Sequence, residues 1–587
     1  MIPARHHDRV NHAEAWMQES FGMTNRRYTS KQRNESLEVC LFDALRVMDN
    51  AGVDDLIPKW RREEGLGPRG AKQIISERAV IALMLVQMRV DGDLRFNNMA
   101  NTITLLTNSQ RERMGIRKHD ITQPNWYDRI WSAVERLQRL VDAYPGPRKK
   151  LPTRESYAAI LAARDPEACE RKRVRLSLLC NRLVEGSVLL MPRELRRRFQ
   201  GNHALDATKI PLNGKYGGPS SARPNGHHLS ASYDGGWWVR NGSHDGSGST
   251  SHDKRCWAIE AEITTMVANA PGEAATFPLL ANGVSFHKPG AIKGEGLRLI
   301  ESLLSRGYTI DHFIADRAYL PNSVAEELQL PLALLGAKLV FDDKDKERGK
   351  MAQYEDLILV GGVWYINIMP KSLINAHALY EQAHEKAGKD AEAIRAAKEN
   401  LAQRLSERKT FRMKPKGIRR PNGSRQFMYP DPSSYTVADP KTGELLSIEK
   451  KTIVVPLATG KGDKKHEAVK FGQEYPHDEP KWAGWYGLRN TVEAQNAYIK
   501  DSSTEDIEDP KKRRARGNTF ASLAVTMALV SANIRKILTF IRAHLSRVDV
   551  TSKNRSFENT YYSAEDPPGY DNESAATPPE SPPPPED

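Results

Sequence analysis

The sequence predicts an α/β protein: an all-helical region first, then a core of strands and helices interrupted by a mainly β insertion. Three observations lead there. Apolar residues recur at helical spacing through the first 145 residues, as at Leu37, Cys40, Leu41, Ala44, Leu45 and Met48. Between Trp257 and Val267 the period changes to two. Ile259, Ala261, Ile263, Thr265 and Val267 fall on one side and Glu260, Glu262 and Thr264 on the other, the pattern of a half-buried strand. Further on, the short runs Leu357–Leu359, Trp364–Ile368 and Thr452–Leu457 read as strands set among charged segments.

Taken in order, residues 1–145 form a helical region. Ala79 to Val86 is nearly all apolar and suits the central helix of a bundle, and Trp126, Ile130, Val134, Leu137 and Val141 make another stripe before Pro145-Gly146. Short helices among Arg-rich loops suit a DNA-binding domain and equally a plain bundle. Residues 146–200 form a basic connector of short helices, with Arg171-Lys172-Arg173 and Arg196-Arg197-Arg198. From 201 to 340 comes a strand over His203–Leu212 with Asp206 in its middle, then a Gly/Ser/Asn-rich stretch and the alternating strand. An amphipathic helix through Leu297, Ile300, Leu303 and Leu304 follows, and a strand from Tyr308 that ends at Asp316. One acid inside the first strand and another ending the last is the layout of a ribonuclease H-like core. Residues 341–480 are the insertion, with a charged helical stretch broken at Gly388 and a basic loop over Lys409–Arg425. The core resumes over 481–548, and 549–587 is an acidic, Pro-rich tail of disordered composition.

The chain carries 87 Lys+Arg against 74 Asp+Glu, a formal +13. From Ser556 to Asp587 there are eight acids and no Lys or Arg, so the remainder is more basic still. That balance favours an anionic polymer as partner, although other cationic proteins share it. Cys40, Cys169, Cys180 and Cys256 form no C-x-x-C pair, which argues against a zinc ribbon or a disulfide framework and for a reducing, cytoplasmic setting. The N-terminus lacks the apolar core of a signal peptide. The apolar stretch Phe520–Ile534 is too short to span a bilayer and reads as a buried helix, so no membrane association is expected.

Tyr486, Arg489, Glu493 and Lys500 lie 3, 4 and 7 residues apart. At about 100° per residue all four project within roughly 60° of one another on a helix. A carboxylate between two cations and a tyrosine suits a metal-ion and phosphate site; the plainer reading is a solvated i,i+4 ion pair. Asp206, Asp316 and Glu493 are three carboxylates on separate elements, the set a two-metal phosphodiester site requires. There, two Mg²⁺ ions roughly 4 Å apart clamp the scissile phosphate. Asp311 points to the other face, Asp234, Asp245 and Asp253 lie in or beside the Gly-rich stretch, and Glu260 and Glu262 are expected to face solvent. His227, His228, His244 and His252 lack a zinc-site frame. Lys511, Lys512, Arg513 and Arg514, with Arg516, are placed to grip phosphates.

The chain resembles the DDE transposases of the bacterial insertion-sequence group defined by a Tyr-x2-Arg-x3-Glu-x6-Lys signature. Tyr486, Arg489, Glu493 and Lys500 match that spacing without a gap. Ala315-Asp316-Arg317-Ala318-Tyr319 is similar to the group's second-aspartate motif, with Ala318 where Gly is common, and His203–Thr208 to its looser first-aspartate strand. The resemblance implies Asp206, Asp316 and Glu493 as catalytic ligands of two Mg²⁺ ions, with Mn²⁺ substituting. It implies that Tyr486, Arg489 and Lys500 contact the element end, and that a tryptophan of the insertion stacks on a flipped base; Trp364 is the candidate, with a place in the insertion's core as the favoured alternative. The implied partners are double-stranded DNA, as terminal inverted repeats and as target, and a second copy of the chain in a synaptic complex. The implied setting is the bacterial cytoplasm, at the nucleoid. A DNA-binding relative without chemistry and a nuclease without strand transfer are the rival classes.

Overall fold

The computed structural model describes residues 36–67, 73–118, 124–148, 152–213, 232–240, 255–320, 323–344, 347–439, 441–477 and 479–545. The acidic tail, the four histidines His227, His228, His244 and His252, and Asp245 and Asp253 lie outside these residues.

Six helices open the described chain: α1 Leu37–Asn50, α2 Val53–Glu63, α3 Glu77–Val90, α4 Phe96–Leu105, α5 Asn108–Met114 and α6 Trp126–Val141. The hydroxyls of Ser36, Ser76 and Thr107 accept from backbone amides of the first turns of α1, α3 and α5, satisfying donors that helix starts leave unpaired. Apolar all round, α3 is buried along Ala79–Met88, as a central helix must be. These helices share one apolar core with the sheet described below.

The expected connector of short helices is different. After α7 Arg154–Ala162 comes α8 Pro166–Val188, a 23-residue helix packed against α1 and α6, and then α9 Arg193–Arg197. Asp165 caps α8, and Pro166 opens it at a position needing no amide donor. One of its cations, Arg175, is buried and bridges Glu63 at 2.7 Å and Glu64 at 2.6 Å, so part of the basic run is spent inside the fold.

The sheet contains β1 His203–Pro211, β2 Gly236–Val239, β3 Arg255–Met266, β4 Ala281–His287, β5 His312–Ala315 and β6 Lys338–Val340, in the order β2-β3-β1-β5-β6 with β4 also paired to β3. Pairings among β1 to β4 are antiparallel, while β5 runs parallel to β1 and β6. The connections are α10 Glu295–Ser305 between β4 and β5 and α11 Gln329–Leu334 before β6. Residues 308–311, expected to extend β5, instead join α10 to it, and the Asp311 amide donates to the Gly201 carbonyl at 2.7 Å. The largest departure is β3. Glu262 and Thr264 are completely buried and Glu260 nearly so, because helices cover both faces of the sheet.

The insertion is mixed rather than mainly β. It holds two three-stranded antiparallel sheets, β7 Lys350–Tyr354, β8 Leu357–Val360 and β9 Val363–Ile366, then β10 Lys414–Lys416, β11 Arg425–Met428 and β12 Thr452–Val455. Between the sheets lie α12 Lys371–Ile374, α13 Ala376–Ala387 and α14 Ala391–Glu407, and α15 Glu467–Lys470 follows β12. Gly388, at φ +56°, makes the expected break between α13 and α14. The insertion has its own apolar cluster, which includes Trp364.

The chain returns through α16 Pro480–Gly487, α17 Asn490–Lys500 and α18 Asn518–Leu545. At 28 residues, α18 is nearly twice the length expected and is long and apolar enough to cross a membrane; 78% of its most apolar window is buried inside the protein. It packs against α8, α3 and β4.

Candidate active site

Strand register brings two of the three predicted acids together. Leu205 of β1 lies beside Ala315 of β5 in parallel pairing, so Asp206 and Asp316 leave adjacent strands at the same level. Neighbouring strands are about 4.8 Å apart. Alternation along β1 decides the face: Ala204 belongs to the core shared with the N-terminal helices, and Leu205 to the cluster under α10. Asp206 follows Ala204, toward α17, which lies across β1 and β3.

The third acid, Glu493, stands in the first turn of α17. The single continuous helix expected for the signature is interrupted: α16 ends at Gly487, and Leu488 and Arg489 form a turn before α17. Both keep right-handed helical dihedrals, so Arg489 still reaches Glu493. The Arg489 guanidinium lies among all three carboxylates, with Nη2 3.4 Å from Asp206 Oδ1 and 3.6 Å from Asp316 Oδ2, and Nη1 bonded to Glu493. Side-chain exposures are 18% for Asp206, 38% for Asp316 and 46% for Glu493, a gradient from the sheet outward.

Burial pushes the Asp206 carboxyl up to about 6. Arg489 opposes the shift, while Glu493, Asp316 and Glu262 add to it. Asn496, one turn beyond Glu493, donates Nδ2 to Asp206 Oδ2 at 3.3 Å, and its buried Oδ1 has no partner. Among the described residues no three His, Cys, Asp or Glu side chains stand close enough to hold a metal ion as they are; Arg489 takes the central place. The donor set nevertheless fits a hard divalent cation. All its candidate ligand atoms are oxygens, one carboxylate is held high by burial and by the neighbouring acids, both of which a bound cation offsets, and an orphan amide oxygen lies alongside.

The other signature residues sit around this centre. Tyr486 on α16 stacks on Trp482 with ring centroids 5.0 Å apart and planes 10° apart. Lys500 is half-buried two turns beyond Glu493; burial lowers its pKa, and its nearest charges include Glu508, Lys209 and Asp206. Ala318 has no positive φ, so the alanine in the second-aspartate motif fits its backbone without strain.

Of the basic run, Lys511 and Arg514 are exposed, and Lys512 pairs with Asp506 at 2.8 Å. Arg513 cannot reach DNA: it is buried, donating to the carbonyls of Asp509 and Pro211 at 3.1 and 2.9 Å, and burial lowers its pKa to about 10. Trp364 is 8% exposed and forms part of the insertion core, the alternative favoured over a base-stacking role. The rival acids are engaged elsewhere. Asp311 pairs with Lys338, Asp234 takes two bonds from Arg164, and Glu260 accepts from the Gly290 amide.

Sequence reasoning missed Asn496, although its position three residues after Glu493 is a usable signal. It also misplaced Glu262, which accepts from His287 Nε2 at 2.6 Å and from the Tyr319 hydroxyl. Comparison of the chain with protein-family models, with curated proteins and with solved structures finds no match in any of the three.

Proposed function

We propose that the chain is a DDE-type DNA transposase with a ribonuclease H-like core, cutting the ends of its mobile element and joining the freed 3′-OH ends to target DNA. The observation that carries this reading is the convergence of Asp206, Asp316 and Glu493, from two strands and a helix, on one guanidinium. Further support comes from the strand order, in which β1 is flanked by an antiparallel and a parallel neighbour, with one acid inside β1 and another just past β5.

Asp206, Asp316 and Glu493 would hold two Mg²⁺ ions, with Asn496 Oδ1 beside them. When bound, the ions supply Lewis acidity at the scissile phosphate, for the attacking oxygen and for the leaving oxygen. Arg489 has two uses. Without substrate it neutralises the acids, and with DNA it turns to a phosphate oxygen as a bidentate donor. Tyr486 and Lys500 flank it as further phosphate contacts, and Lys511, Arg514 and Arg516 extend the grip along the duplex. Hydrolysis frees a 3′-OH at each element end. That hydroxyl then displaces a 3′ oxygen of the target strand, one phosphodiester replacing another with no nucleotide consumed. Cutting both ends together calls for two copies of the chain.

The test is cleavage and joining of labelled DNA carrying the repeats that flank the gene, by wild type and Glu493→Gln, with Mg²⁺ and with chelator. Nicking at the ends plus joined product, both lost in the variant and in chelator, is the expected result. Cutting without joined product identifies a nuclease. Binding of the ends without cutting in either protein identifies a DNA-binding relative, and both outcomes overturn the proposal.

A further inference from the structure

Beneath the three acids, on the opposite face of the same sheet, lies a second carboxylate cluster. Glu262 faces Ala207 across the β1–β3 pairing, so its side chain leaves the sheet on the side away from Asp206. It is completely buried. One oxygen accepts from His287 Nε2 at 2.6 Å and the other from the Tyr319 hydroxyl. His287 is fixed in turn, with Nδ1 2.6 Å from the Lys288 carbonyl. A carboxylate placed there costs several kcal/mol of desolvation unless both oxygens are bonded, and both are.

Tyr319 connects this cluster to the active site. It is the last residue of the turn that starts at Asp316: its amide donates to the Asp316 carbonyl at 3.2 Å, and the Ala318 amide donates to Asp316 Oδ1 at 2.9 Å. The Tyr319 ring runs from that turn under the sheet, among Leu205, Phe313 and Leu320, to reach Glu262. The Asp316 side chain, 38% exposed, has little packing of its own. Its direction follows from the turn, whose far end is held by Ser323 Oγ donating to the Tyr319 carbonyl at 2.8 Å and, through the buried Tyr319 ring, by a hydrogen bond to a buried carboxylate.

We infer that Glu262 is a positioning residue, which clamps the Asp316 turn through Tyr319 from the far face of the sheet, with His287 holding Glu262 in place. This rests on the transposase reading only for what Asp316 does once positioned. Residues that orient a ligand from outside its immediate shell are commonly worth about 10–100-fold in metal affinity or activity.

Tyr308 supplies the control. Its hydroxyl also bonds a carboxylate, Glu185 Oε2 at 2.8 Å, but that pair leads to no acid of the site. The experiment compares wild type, Tyr319→Phe, Glu262→Gln and Tyr308→Phe. Amide hydrogen exchange over residues 316–320 is read without DNA or metal, and the Mg²⁺ dependence of end cleavage is read with end binding measured alongside. In Tyr319→Phe the turn amides should exchange about tenfold faster. Half-saturating Mg²⁺ should rise about tenfold with end binding unchanged, and Mn²⁺ should restore the rate. Glu262→Gln, which keeps an acceptor for the phenol, should fall between Tyr319→Phe and wild type. Tyr308→Phe should match wild type in both readouts. Unchanged exchange at 316–320 in Tyr319→Phe, or an equal change in Tyr308→Phe, overturns the clamp. If the wild type cuts no DNA the transposase reading falls, and the exchange data alone decide the clamp.

Discussion

Two carboxylate clusters stand back to back on one sheet, and they differ in how completely the chain satisfies them. Under α10, Glu262 is sealed from water with both oxygens bonded to neighbours that are themselves fixed. Under α17, Asp206, Asp316 and Glu493 are partly open to solvent and share one arginine, while Asn496 Oδ1 has no partner. A carboxylate that serves the fold needs complete pairing, because a buried charge left short of partners is costly. A carboxylate that serves chemistry must keep lone pairs free for something the chain does not supply. The same side-chain type, on opposite faces of one strand pair, meets opposite requirements.

The sharpest separation is between activity and stability. Glu493→Gln should cut DNA cleavage by about a thousandfold, since Lewis-acid stabilisation is worth several kcal/mol and each 1.4 kcal/mol or so is tenfold. Its folding stability should stay within about 0.5 kcal/mol of wild type. Glu262→Ala should do the reverse of the second part, losing about 3 kcal/mol in urea unfolding because His287 and Tyr319 lose their buried partner. Equal stability losses in the two variants would erase the distinction between the clusters.

A smaller effect is pH-dependent. Asp206 titrates near 6 in the folded chain, against 3.8 as its ordinary value. A raised folded pKa means the fold binds the proton more tightly, so this contribution is full below about pH 4 and is lost as pH rises through about 6. In chelator, wild type should lose about 2 kcal/mol relative to Asp206→Asn across that window. Parallel stability curves for the two proteins would show that neither burial nor the neighbouring acids raise Asp206.

The smallest effects separate two adjacent arginines. Arg514→Ala should lower the salt slope of DNA binding by about one with stability unchanged. Arg513→Ala should leave the slope alone and cost about 1–3 kcal/mol of stability, because it strands the carbonyls of Asp509 and Pro211.

The open cluster was legible in the sequence and the sealed one was not. Asp206 stands out as an acid inside an apolar run, Asp316 as an acid ending one, and Glu493 through its spacing to Arg489. All three are local signals. Glu262 shows the limit of such signals. Period-two alternation groups it correctly with Glu260 and Thr264, but only the packing of α10, brought in by later sequence, makes that side an interior. Arg513 fails in the same way: in a run of cations nothing local marks the one whose acceptor, Pro211, lies 302 residues earlier. The length of α8 and the break between α16 and α17 are likewise decided by what the helices pack against. The layout of β1, β3, α10 and the end of β5 needed no such information, since each has its own apolar pattern, whereas β4 follows from its pairing to β3.

If Asp206, Asp316 and Glu493 form one metal-dependent site, Arg489 must withdraw from it when DNA and metal bind. The most direct measurement is a crystal structure of the chain bound to a DNA end with Mn²⁺, with anomalous scattering locating the metal. Mn²⁺ should lie within about 2.2 Å of carboxylate oxygens of Asp206 and Asp316, with Arg489 turned onto a phosphate. DNA seated elsewhere, with no metal at these acids and Arg489 still bonded to Glu493, would contradict it.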